Sequence, residues 1–392
     1  MRIFKLLAKS IFVTLTLTIM LLHSSGDAKA GSALPPTTLL CAPGFFAEVP
    51  TECADPAMTD PAAADPFGFP VLVNSGPTVY QRPDPLLNIV DARYYLVNDT
   101  GTAFYPSIEA ARAKEGAVQV INPGELIYVV YDQRIDTDKG TYFLLPNGLY
   151  MPGDGSTVSV ATPFPGVEVI NQPAHSFGFI FTQVGVHLHP QESWLSPAVD
   201  VLQPVGSEYP IVEILATMRI RGENWHLIGP NQWVPGRGVA VVTPRTSAPD
   251  GVEDGNWIDV DLAEQSLAVY ENNRLVYATV MASGAEPLFT RPGLFQVYEK
   301  KESETMTGER NTPNFYHLEN VPWTMYFDKA RALHGAYWRA RLGYPQSHGC
   351  VNLYPGDAHW LFNWAKVGTW VHVYDTTGKT PTDPNFYGDG GA

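Results

Sequence analysis

The chain has 392 residues and a formal net charge of −15. At about 150 residues per domain, that length suggests two or three domains rather than one core, and 45% hydrophobic residues are enough to pack them. No Lys/Arg-rich run occurs, which argues against nucleic acid or an anionic membrane surface as the main partner.

Residues 1–30 have the pattern of a secretory signal. Arg2, Lys5 and Lys9 precede an apolar run from Ile11 to Leu22, and Ala28-Lys29-Ala30 offers a small-x-small cleavage site. The apolar run is short for a membrane span, although an uncleaved anchor remains the other reading. Residues 31–68 form a Pro-rich spacer containing Cys41 and Cys53. An exported chain tends to pair its cysteines, so these two neighbours are expected to form a disulfide. Cys350, the third cysteine, is then the odd thiol, either buried and inert or functional.

Short apolar runs separated by turn clusters follow, among 34 Gly and 34 Pro in the whole chain. Residues 69–169 are expected to form a β-rich module, with Arg93 to Val97 and Leu126 to Val130 as strands and a short helix opened by Ser107. Residues 170–243 carry short strands and tight turns that suit a small barrel and weakly resemble SH3-like modules. His187-Leu188-His189 places two imidazoles on one face without a nearby thiol or carboxylate, so no metal site is expected there. Trp225 and Trp233 suit a barrel core better than a glycan-binding face.

Residues 244–256 are polar and turn-rich, a linker. From Trp257, Ile258, Val260 and Leu262 alternate with Asp259 and Asp261, which predicts a half-buried strand. Glu271-Asn272-Asn273-Arg274 between two apolar runs predicts a hairpin. Ala358, Leu361, Phe362 and Ala365 fall on one helical face behind Pro355 and Asp357, and residues 369–374 make a last strand. The tail, 376–392, is expected to be disordered.

The chemistry concentrates in His334-Gly335-Ala336-Tyr337-Trp338 and Ser347-His348-Gly349-Cys350-Val351-Asn352. A free thiol is mostly protonated at neutral pH, and a neighbouring imidazole lowers its pKa and stores its proton. A glycine beside the nucleophile lets backbone N–H groups approach an oxyanion closely. The residues alone leave open whether His334 or His348 would be the base. A zinc reading of Cys350, His348 and His334 lacks paired ligand spacing.

This cluster resembles the L,D-transpeptidase (YkuD) family, whose pattern is a His, a gap, then Ser/Thr-His-Gly-Cys, a hydrophobic residue, and Asn or Arg. His334, Ser347, His348, Gly349, Cys350, Val351 and Asn352 fill it, and the resemblance covers roughly residues 256–375. It implies a catalytic domain over 257–375: a mostly β sandwich with short helices and a long lid, needing no metal or cofactor. The fold class expected for the whole chain is therefore mainly β and multidomain, with one or two small SH3-like β-barrel modules preceding that sandwich.

The resemblance also implies the substrate, a peptidoglycan stem peptide outside the cytoplasm. Cys350 would attack the carbonyl of the third stem residue and release D-Ala, and the thioacyl group would pass to the amine of a second stem, a 3→3 cross-link. His334 would be the base, oriented by the Gly335 carbonyl, with the backbone N–H groups of Gly349 and Cys350 facing the oxyanion. Ser347 and Asn352 would shape the turn and bind substrate, and His348 would line the site or hold the loop. Tyr326, Trp338 and Tyr337 would line the cleft or pack in the core. Water as acceptor would make a carboxypeptidase, and a protein acceptor would make a wall-attachment enzyme. A non-enzymatic wall-binding array is the remaining alternative, with SH3-like modules touching wall glycan in any of these cases.

Overall fold

The computed structural model describes residues 80–388, apart from 98–100, 125, 155–161, 191–196, 207 and 309–314, and the backbone alone of 37–39 and 79. The expected signal sequence, nearly all of the spacer and the Cys41–Cys53 pair lie outside the described residues. The described chain is mainly β. The helices, among the described residues, are α1 (Ile108–Ala113), α2 (Pro355–Trp364) and short 3-10 turns. α1 begins where Ser107 accepts the Ala110 N–H and ends where Lys114 turns left-handed, a side-chain cap at one end and an αL cap at the other.

The C-terminal part holds β1 (Trp257–Asp261), β2 (Ser266–Glu271), β3 (Arg274–Val280), β4 (Gly293–Gln296), β5 (Glu299–Gly308), β6 (Tyr316–Asp328), β7 (Arg331–Gly335), β8 (Val351–Leu353) and, after α2, β9 (Trp370–Tyr374). One sheet runs in the order β3-β2-β1-β9-β4, and the other runs β8-β7-β6 with β5 also on β6. The β2–β3 hairpin turns through Asn272 and Asn273, both left-handed, the geometry that a two-residue hairpin requires.

The two sheets face each other across an apolar layer. Ile258, Val260, Leu267 and Val269 come from the first sheet, and Met325, Phe327, Leu333, Val351 and Leu353 from the second. Ala358 and Leu361 of α2 join this layer, while Phe362 is only half-buried against it.

Segments far upstream extend both sheets. Val167–Val169 pairs with β3 and Val79–Gln81 pairs with Val167–Val169. Leu126–Val130 lies parallel to β6, and Tyr94–Val97 lies against Leu126–Val130. The 69–169 region therefore contributes strands to the sheets of the C-terminal part, besides its own antiparallel pair at 102–121 and three-stranded sheet at 133–153. Pairing of this kind covers sheet edges that would otherwise expose unpaired backbone groups.

Residues 176–242 form short antiparallel strands around Ile180, Val184, Val212, Ile228, Val234 and Val239. Trp225 and Trp233 are both in the core, 4% and 0% exposed. Phe177, Phe179, Ala240 and Val242 pack against Trp257, Tyr270, Leu275 and Ala278 on the first sheet's other face.

The half-buried strand expected at 257–262 is consequently buried on both faces. Asp259 is 3% exposed, and its carboxylate accepts from Arg245 Nε at 2.7 Å and meets His372 Nδ1 at 2.6 Å. The pairing is what makes burial of this charge tolerable. Arg245 also binds the linker to the sheet, because its backbone N–H donates to the Tyr270 hydroxyl. Residues 376–388, expected as part of a disordered tail, carry a 3-10 turn at Pro384–Phe386 and bury Tyr387 under Arg331.

Candidate active site

β7 and β8 pair in parallel, with Leu333 opposite Val351 and His334 opposite Asn352. Side chains alternate along a strand. Since Leu333, Val351 and Leu353 point into the inter-sheet core, His334, Asn352 and Cys350 share the outer face. His334, Asn352, Cys350, Ser347, His348 and Trp338 line one pocket, together with Leu126, Met306, Tyr316, Leu318 and Arg339. Its volume is about 30 Å³, room for about two waters and far too little for a peptide.

The loop from β7 to β8 is tied down at many points. The Ser347 N–H donates to Ser283 O at 3.0 Å, and the Ala285 N–H donates to Ser347 O at 2.9 Å. The Ser347 hydroxyl donates to Cys350 O at 2.6 Å and accepts the Gly349 N–H at 3.1 Å. Thr290 Oγ1 donates to Gly349 O at 2.9 Å. Gly349 has φ +117°, and a Cβ there would lie 3.2 Å from Arg331 Nε. Glycine is therefore required by backbone conformation, with little room to spare. Gly335 is required by space, because a Cβ would come within 2.9 Å of the Pro322 ring.

In this structure the Gly349 N–H, expected as an oxyanion donor, donates to the Ser347 hydroxyl. Ser347 acts on the shape of the loop.

His334 is 2% exposed, and its ring stacks on Trp338 at 5.6 Å between centroids. Burial lowers its pKa to about 4; the Gly335 carbonyl opposes that shift and the Arg339 charge adds to it. Nδ1 nevertheless has no acceptor in hydrogen-bond geometry, so the Gly335 carbonyl acts here through proximity. Burial also raises the Cys350 thiol to about 11, tempered by the Ala332 backbone and the Arg331 charge. The thiol lies 3.7 Å from Ala330 O. Burial of both side chains thus favours a neutral thiol and a neutral imidazole over an ion pair.

Of the aromatic candidates, Trp338 lines the pocket and is half-buried. Tyr337 is enclosed by Tyr94, stacked at 3.6 Å, and by Tyr128, and its hydroxyl donates to Glu319 O. Tyr326 shares a buried cluster with Cys350, but its hydroxyl donates to Glu304 Oε2 at 2.9 Å and it is not among the pocket-lining residues. Tyr316 lies in the wall, its ring 4.9 Å from that of His348.

Tyr316, Met306, Leu126, Arg331 and Arg339 were missed in the sequence. The two arginines had a visible signal: each sits beside apolar or aromatic residues, three before and five after His334. Arg331 is 4% exposed and donates to Asp328 at 3.0 Å, which accounts for its burial. Among the described residues, no group of three or more His, Cys, Asp or Glu side chains is arranged to hold a metal ion.

Residues 255–373 match the YkuD family, the L,D-transpeptidase catalytic domain. The probable L,D-transpeptidase ErfK/SrfK of Escherichia coli (strain K12) is 27% identical over 175 residues, covering 40% of this chain and 56% of that protein. L,D-transpeptidase 2 of Mycobacterium tuberculosis is 28% identical over 131 residues, covering 31% of this chain and 32% of that protein. The chain thus spans about half of one curated relative and a third of the other. Among solved structures, the catalytic domain of the E. faecium L,D-transpeptidase is 28% identical, covering 32% of this chain and 100% of that one, with a TM-score of 0.28. An L,D-transpeptidase from Stackebrandtia nassauensis is 25% identical, covering 35% and 63%, with a TM-score of 0.27.

Proposed function

We propose that this protein is an exported peptidoglycan L,D-transpeptidase in which Cys350 is the nucleophile and His334 the general base. The observation that carries this reading is the convergence of Cys350 and His334 on one pocket, inside the segment that matches the L,D-transpeptidase catalytic domain.

The chemistry runs in two halves. Cys350 Sγ bonds to the carbonyl carbon of the third stem residue while the bond from that carbon to the nitrogen of D-Ala breaks. His334 accepts the thiol proton and returns it to the leaving amine. In the second half, the side-chain amine of another stem attacks the thioester, gives up a proton through His334 and restores the thiol. The Cys350 N–H is the proposed oxyanion donor, and the Gly349 N–H could join it only after release by Ser347. Asn352, opposite His334 in the strand pair, would bind the donor peptide.

Because the pocket is too small for a peptide, its wall of Met306 on β5 and Tyr316 and Leu318 at the start of β6 would move before substrate enters. Opening would also rehydrate the thiol and imidazole, which reverses the burial that keeps both neutral. We assign the short-stranded 170–243 segment to an SH3-like module and propose that it contacts wall glycan. Its two buried tryptophans leave that role to other side chains.

Incubation with purified disaccharide-tetrapeptide tests the reading. A cross-linked dimer that loses one D-Ala, together with a carbapenem adduct at Cys350, is the expected result. Tripeptide alone would point to water as acceptor, and no adduct with no turnover would overturn the enzyme reading.

A further inference from the structure

We propose that Arg339 is the specificity residue for the donor's terminal carboxylate, holding it beside Cys350 during acylation. The inference rests on the transpeptidase reading and names which part of the donor this pocket selects.

Arg339 lines the pocket that also contains His334, His348 and Cys350. It is the sole Lys or Arg among those lining residues, which include no Asp or Glu. Most of the remaining wall is apolar or aromatic: Leu126, Met306, Tyr316, Leu318 and Trp338. A guanidinium in such surroundings offers planar, forked donors suited to a carboxylate.

The arginine is also held in place. Its Nη2 donates to Gln346 O at 2.8 Å, and its backbone N–H donates to Ala336 O at 3.2 Å. The Ala336 N–H in turn donates to Leu353 O at 2.7 Å, and the Gln346 N–H to Ser283 O at 2.8 Å. The backbone is thus tied to one end of the loop that carries the motif and the guanidinium to the other, and a preorganised donor loses less on binding. Arg331, the other arginine near Cys350, is already engaged by Asp328.

The position is awkward for base catalysis in the empty pocket. The Arg339 charge disfavours protonation of His334, although the imidazole must take a proton from Cys350. A bound carboxylate would offset that charge, so the correct donor would improve the base as it binds. Donor connectivity supports the same assignment. In a peptide cleaved before its last residue, the terminal carboxylate is one Cα beyond the scissile nitrogen. A donor whose carbonyl meets Cys350 must therefore place its carboxylate in the same pocket.

The test compares two donors, the disaccharide-tetrapeptide and its C-terminal carboxamide, by amine release and by intact mass of the acyl-enzyme. The wild type is expected to favour the acid by about tenfold to a hundredfold, the range for a charge-assisted contact. Arg339→Gln should bring the acid-to-amide ratio close to one, and Arg339→Lys should keep part of it. Thermal melting of both variants checks folding, and the ratio is internal to each protein. An unchanged ratio in both variants would overturn the assignment of Arg339 while leaving the transpeptidase reading intact. Release from neither donor by the wild type would overturn that reading, and this assignment with it.

Discussion

Leu333 lies opposite Val351 in the parallel pairing of β7 and β8, and this register brings His334 and Cys350 to one face. With both of those apolar residues in the core, their neighbours must point away from it. A slip by one residue would bury the imidazole between the sheets, so core packing and catalytic geometry are specified together. Leu333→Ala should therefore lower stability by about 2–5 kcal/mol, and the measured loss of acylation should exceed that of a comparable cavity elsewhere in the core.

The state of the pair can be read chemically. With burial holding the thiol near 11 and the imidazole near 4, alkylation of Cys350 by iodoacetamide should rise roughly tenfold per pH unit between pH 7 and 10. A rate already flat above pH 6 would mean a preformed thiolate–imidazolium pair. Cys350→Ala should abolish acyl-enzyme formation, and His334→Gln should slow it by about 10²–10⁴.

Local features were legible because their causes are local. The Asn272-Asn273 turn, the Ser107 cap, the apolar face of α2 and the motif around Cys350 each depend on residues close in sequence. The strand additions were not. Leu126–Val130 reads as a strand, but nothing within it says that its partner is Tyr316–Leu318. The place of Tyr316 in the pocket wall was not legible for a related reason. Asn320 and Trp323, between it and Tyr326, adopt left-handed φ, which interrupts the period-2 alternation that assigns faces. Asp259 read as a solvent-facing residue because the covering surface, including Phe177 and Val242, comes from another part of the chain.

Ser347→Ala tests the loop. Its hydroxyl joins the Gly349 N–H to the Cys350 carbonyl, and removal leaves two buried backbone groups without that partner. A stability loss of about 1–3 kcal/mol is expected in chemical denaturation. Acylation should fall with it, since the backbone on either side of Cys350 loses its brace. Gly349→Ala should be worse, because alanine is strained at φ +117°.

Asp357 gives a pH signature outside the pocket. It is fully buried at the start of α2, and its Oδ1 accepts from the Tyr277 hydroxyl at 2.7 Å. Burial raises its pKa from 3.8 to about 7, opposed chiefly by hydrogen bonds from Thr279 and Tyr277. A raised carboxyl pKa means that the folded state retains a proton which the unfolded state has lost. Its contribution to stability is greatest below about pH 4 and declines until about pH 7. Asp357→Asn should gain on the wild type by up to a few kcal/mol across that window. Parallel denaturation series at pH 4, 5.5 and 7.5 check this, and a constant difference would show that Asp357 does not titrate there.

Tyr94 begins a chain of ring contacts that runs from the upstream strands to the candidate base. It is fully buried, stacks on Tyr337 at 3.6 Å, and donates its hydroxyl to Asn320 O at 2.9 Å. Tyr337 packs edge-on against Trp338, and Trp338 stacks on His334. His334 Nδ1 has no hydrogen-bond partner, so ring packing is a main constraint on its orientation. Tyr94→Ala should cost about 3–5 kcal/mol, as for other large aromatic truncations, and should slow acylation even at temperatures where the variant stays folded. Tyr94→Phe keeps the ring stack and loses one hydrogen bond, so it should cost about 1 kcal/mol and leave acylation near that of the wild type. If Tyr94→Ala, still folded, acylates at the wild-type rate, the aromatic chain from Tyr94 to His334 is packing alone. If Tyr94→Phe is as slow as Tyr94→Ala, the hydrogen bond to Asn320 is the coupling element, and the path runs through β6.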